Sequence, residues 1–155
     1  MRTKGFTLVE ILIALGVFGL LLAGLAGLLN ANQKELRDGK RIGDMQALRS
    51  AMSVVKNQKG GFDQAYCEIG PVSACAKKAS SVLVDVFPGL AKLNDPESPA
   101  ASCADAAACQ SGACNYAFVK IEPNDYEARF AIERGIDGYP AAGCYKVTPE
   151  GIIKL

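Results

Sequence analysis

Histidine is absent from the chain, and no proline precedes Pro71. Without histidine, a serine or cysteine nucleophile has no usual base, and mixed Cys/His metal sites are excluded. Without an early proline, nothing forces a helix to stop before Gly60. A charge surplus is missing as well. The net charge is +1, and without Arg2 and Lys4 the remainder carries −1. No chain-wide basic excess points to nucleic acid, and no acidic tail points to a solvating segment. Neither a C-x-x-C pair nor a phosphate-binding glycine loop occurs, so the redox and nucleotide motifs find no footing. No catalytic residue is assigned, and neither metal nor cofactor is expected.

What is present begins at once. Phe6 to Leu29 is 24 consecutive positions with Glu10 as their single charge, and a bilayer core needs about 20. A carboxylate inside a span costs roughly 2.5–3.5 kcal/mol at the bilayer centre on insertion scales, so Glu10 asks for a reason. Beyond the apolar run the helical pattern continues. Ile42, Met45, Leu48, Met52 and Val55 recur every three or four residues as one apolar stripe, with Arg41, Asp44, Arg49 and Lys56 largely off it. Lys56 and Lys59 fall in the expected last turn, and Gly60-Gly61 follow as the stop. Gly39 and Gly43 weaken the middle by up to about 1 kcal/mol each relative to alanine, which allows a bend there. An unbroken helix from Phe6 to Lys59 would measure about 80 Å at 1.5 Å per residue.

Six cysteines, Cys67, Cys75, Cys103, Cys109, Cys114 and Cys144, all follow the apolar run. An even number beyond a membrane-directing segment reads as disulfides in an oxidising compartment. A cysteine-only zinc site usually shows two-residue spacings within each pair, and this chain has none. The segment CEIGPVSAC brings Cys67 and Cys75 together around a Gly-Pro turn, so that local pair is expected first. The other four form two further bridges in an order left open.

Four parts are expected: a basic leader 1–5, an apolar helix 6–29, an amphipathic half-helix 30–60, and a disulfide-stapled head 61–155. Within the head, SSVLVDVFPGLAKL is a short helix or a strand. NDPESPAASCADAAACQSGACN reads as turn chemistry, a loop stapled by cysteines rather than a core element. YAFVKIE and YEARFAIE then alternate with period two around PND, a hairpin, and CYKV, TPEG and IIKL supply closing strands. The fold class is α+β, a long N-terminal helix packed on a small antiparallel sheet, with the stripe lying on the strands from Tyr116 to Ile132. Asp63, Asp95, Asp125 and Asp137 read as scattered turn acids. IDGYP around Asp137 is a poor start for calcium, which takes six to eight oxygens.

The stretch KGFTLVE resembles the processing signature of type IV pilins and type II secretion pseudopilins: a short basic leader ending in glycine, then phenylalanine, a small or polar residue, two apolar residues and glutamate. Here these are Gly5, Phe6, Thr7, Leu8, Val9 and Glu10. The likeness extends, more loosely, through KRIGDMQALRSAMSVVKNQKGGF. The resemblance implies cleavage after Gly5 by a membrane prepilin peptidase and methylation of the new amine on Phe6. It also implies handling by inner-membrane assembly machinery and a homo-oligomeric filament with other pilins, built through the apolar helices. Glu10 would then pair with the Phe6 amine of an adjacent subunit, an assembly device. The precursor would be a single-pass cytoplasmic membrane protein with its head outside the cytoplasm.

Other readings of the same residues compete. Thr7 and Glu10 form a T-x-x-E capping box, which needs no filament. A plain signal anchor tolerates an interfacial glutamate. Gly24 and Ala26 offer small residues for a secretory cleavage site, but the apolar run before Ala26 exceeds the usual 7–15 residues of a signal peptide. The non-polymerising alternative is a membrane-anchored or secreted disulfide-rich binding domain. Counting charges opposes a leader held inside, since Arg2 and Lys4 face Lys34, Arg37, Lys40 and Arg41 across the run; the oxidised cysteines favour it. Those four cations also form a local basic cluster, so nucleic acid stays open as a partner. Gly16, Gly19, Gly24 and Gly27 are either ordinary membrane-helix composition or sites of close helix approach.

Overall fold

The computed structural model describes residues 7–155. The chain divides into two compact units, Met1–Lys34 and Glu35–Leu155. The second unit takes in most of the amphipathic stretch 30–60, because its side chains build the core of that unit.

Helix α1 (Leu8–Lys59) continues without interruption through Gly39 and Gly43. Within the first unit its described side chains are almost all exposed, from Leu8 to Leu25. By length and composition α1 is able to cross a membrane. It ends where glycine permits: Gly60 adopts φ +90° and its amide donates to the Lys56 carbonyl at 2.8 Å, the left-handed cap that a β-carbon would strain.

The second unit holds a five-stranded antiparallel sheet in the order β1 (Gly70–Pro71), β2 (Ala117–Ile121), β3 (Tyr126–Ile132), β4 (Gly143–Val147), β5 (Ile152–Lys154). The fold class is α+β. β2 and β3 form the hairpin around Pro123-Asn124, closed by the Glu122 amide on the Asp125 carbonyl at 2.8 Å. A register shift between Phe118 and Lys120 marks a bulge in β2. β4 pairs β3 from Gly143–Ile132 to Val147–Ala128, and the Thr148–Gly151 turn returns the chain as β5.

Strand alternation puts different chemistry on the two faces. Phe118, Tyr126, Ala128, Phe130, Ile132, Tyr145 and Val147 join the α1 stripe of Ile42, Met45, Leu48, Met52 and Val55 in one core. Their immediate neighbours Ala117, Ala131 and Cys144 form a second buried cluster with Cys103, Cys109 and Cys114. Large side chains therefore meet the helix, and small ones leave room for sulfur. The segment 94–115, expected as a loop outside the core, supplies that second cluster. It also contains α3 (Ala106–Gln110), capped by the Asp105 carboxylate accepting from the Ala108 amide at 2.7 Å. Of the two options for SSVLVDVFPGLAKL, the helix is formed, as α2 (Val82–Val86) with a 3-10 turn at Leu90–Lys92.

Candidate assembly site

Glu10 lies in the first turn of α1 and is exposed. One of its carboxylate oxygens accepts from the Thr7 amide at 3.0 Å and from the Thr7 hydroxyl at 3.1 Å. The Glu10 amide in turn donates to Thr7 Oγ1 at 3.3 Å. This is a closed capping box, which satisfies two donors that a helix start otherwise leaves unpaired. Ile11, Leu12, Leu15 and Phe18 around it are exposed. The acid thus sits on an exposed apolar surface and is bonded to Thr7. Gly5 and Phe6, the expected processing and methylation positions, lie outside the described residues.

The head is held by three disulfides, Cys67–Cys75, Cys103–Cys114 and Cys109–Cys144. The sulfurs of Cys103, Cys109 and Cys114 lie within 4.8 Å of one another. All are bonded pairs, so no thiolate is on offer to a metal. Asp137 is exposed, in a turn bridged by Ile136 and Tyr139.

A second polar constellation was not anticipated. Arg41 is fully buried (0% exposed) with Asp38 (0%) and Asp95 (2%). Its guanidinium grips Asp95 through two bonds of 2.6 and 3.0 Å and reaches Asp38 at 2.8 Å and Glu133 at 2.5 Å. Asp38 also accepts from the successive amides of Glu133, Arg134 and Gly135 at 2.9–3.1 Å. A buried charge costs several kcal/mol unless its hydrogen-bonding capacity is filled; here Asp95, Asp38 and Glu133 fill that of Arg41, and Arg41 with three backbone amides fills that of Asp38. Arg37 adds a two-bond grip on Glu133 at 2.8 and 2.6 Å and touches Glu97 at 3.2 Å. The Arg37 bonds, and then those of Arg41, hold the Glu133 carboxyl down at about 2 against the opposing cost of burial. Burial, and then the charges of Asp44 and Asp95, push the Tyr116 phenol well above its usual range; its hydroxyl donates to Asp44 at 3.1 Å.

Three expectations are corrected by this cluster. Arg41 does not lie off the buried stripe: Asp38 and Arg41 continue it one turn upstream, at the same spacing to Met45. Asp95, read as one of the scattered turn acids, is buried and holds Arg41 through two bonds. The basic cluster of Lys34, Arg37, Lys40 and Arg41 is largely neutralised, since Lys40 also pairs with Asp44 at 2.8 Å. In sequence Asp38 and Arg41 extend the stripe upstream of its first apolar member, Ile42, where hydrophobic periodicity does not register them.

The prokaryotic N-terminal methylation motif matches the chain over residues 1–26. It is the signature of the prepilin-type signal of type IV pilins and pseudopilins. The chain carries this prepilin-type signal at its N-terminus. No curated protein and no solved structure matches it. The motif points to a structural rather than an enzymatic role, and with the long apolar α1 it fits a membrane-anchored precursor followed by a filament.

Proposed function

We propose that this pilin-like chain is a structural subunit of a type IV pilus or pseudopilus. A membrane prepilin peptidase cleaves it after Gly5, the new Phe6 amine is methylated, and the subunit polymerises through the apolar part of α1. Glu10 then binds the Phe6 amine of a neighbouring subunit and so favours one axial register over others. The observation that carries this reading is the match of residues 1–26 to the methylation motif, whose glutamate here is exposed within an apolar surface. Such a surface needs either lipid or neighbouring helices, and a carboxylate inside either needs a cation. The head lies outside the cytoplasm, where its three disulfides persist.

The mature N-terminus tests the proposal. Mass spectrometry of the membrane and filament fractions is expected to find chains starting at Phe6 with one added methyl group. A chain starting at Ala26 or Gly27 would mean a secreted domain, and an intact Met1 would mean an anchored one; either result overturns the reading.

A further inference from the structure

Two buried disulfides meet on the back of the sheet. Cys109 Sγ lies within 4.8 Å of both sulfurs of the Cys103–Cys114 bond, and Cys109 is itself bonded to Cys144. Cys103, Cys109 and Cys114 are fully buried, and Cys144 is 2% exposed. Their neighbours Ala117 and Ala131 are the smallest side chains that keep the face apolar, so little bulk stands beside the sulfurs. Thiol–disulfide exchange needs a thiolate brought onto a bonded sulfur, and burial hinders external thiols far more than one already in place.

We infer that these four cysteines are one exchange unit within which pairing moves without an outside thiol. When Cys103–Cys114 is incomplete, the thiolate of Cys114 (or of Cys103) attacks Cys109 Sγ. A Cys114–Cys109 bond forms, the Cys109–Cys144 bond breaks, and Cys144 leaves as the thiolate. One disulfide replaces another, one thiolate replaces another, and no oxidant or reductant enters. Exchange around Cys109 keeps the number of disulfides constant and only moves the bond, so a wrongly closed Cys109–Cys114 bond is correctable by attack of the Cys144 thiolate on Cys109 Sγ, the reverse step. Cys67–Cys75 belongs to the other core and stands outside the unit.

The test uses the exported full chain in detergent, carrying Cys103→Ser or Cys114→Ser, each of which leaves one lone thiol beside Cys109. Samples held at pH 6 to 8 are quenched in acid, alkylated and mapped by mass spectrometry. The expected result is alkylated Cys144 in a substantial fraction of molecules, with Cys109 bonded to the lone cysteine. Its approach to equilibrium should quicken as the pH rises, because the thiolate is the attacking species and its fraction grows. Cys67→Ser, which frees Cys75, is the control and should leave Cys109–Cys144 intact. If the lone cysteine alone is alkylated in either variant that retains Cys67–Cys75, or if Cys67→Ser scrambles equally, the exchange unit is wrong.

Discussion

At the scale of single residues, the head encloses a charged side chain that water does not reach. Arg41 faces Asp38, Asp95 and Glu133, so its loss leaves three carboxylates without their shared cation. Removing one partner of a buried pair costs about 3–5 kcal/mol, and Arg41→Ala should lower the urea midpoint of the head accordingly, read by tyrosine near-ultraviolet circular dichroism. An unchanged midpoint would mean that the cluster is wet. Glu133 makes a second prediction. Its carboxyl is lowered from 4.5 to about 2 by Arg37 and Arg41, so the folded state binds the proton later than the unfolded chain. The resulting stability is complete above about pH 5 and is lost as pH falls towards 2, a difference on the order of 3 kcal/mol. The gap in stability between the wild type and Glu133→Gln should therefore be constant from pH 7 to 5 and narrow steadily below. A gap independent of pH would show that Glu133 is not held in its charged form.

At the scale of elements, α1 and the sheet make one core, with Leu48 fully buried among it. Leu48→Ala removes several buried carbons and leaves a cavity, at about 2–5 kcal/mol. The unfolding free energy of the full chain in detergent, read from its urea midpoint, should fall by that amount; if it does not, the stripe has another partner. This stripe and the β2–β3 hairpin were readable from the sequence because periods of 3.6 and 2 are local signals. The polar extension of the stripe was not, because hydrophobic periodicity counts Asp38 and Arg41 as interruptions. Their partners are also remote: Asp95 lies in a proline-rich turn and the Glu133–Gly135 amides follow β3. Nothing within a window of residues announces a bond between positions 41 and 95. The same limit applies to Cys109–Cys144, separated by 35 residues, whereas Cys67–Cys75 is closed by its own short segment.

At the scale of the whole molecule, Glu10 carries two readings at once, and one substitution separates them. In the single chain it closes the capping box with Thr7; in the proposed filament it neutralises the Phe6 amine of a neighbour. A glutamine at the third helical position still closes a capping box, yet it carries no charge. Glu10→Gln therefore keeps the first role and abolishes the second, while Glu10→Ala abolishes both. Loss of a cap costs about 1 kcal/mol, and an unpaired ammonium among packed apolar helices costs about 3–5 kcal/mol. If the pair between subunits holds the filament, both variants should be inserted, cleaved and oxidised normally but yield few or no filaments. Glu10→Asp should fall between them and the wild type, since its charge remains and its reach is one methylene shorter. Each variant is measured as sheared surface filament against subunit left in the membrane. Assembly by Glu10→Gln at the wild-type level, with Glu10→Ala impaired, would reduce Glu10 to the capping partner of Thr7. Assembly by both would leave the acid no part in the filament at all.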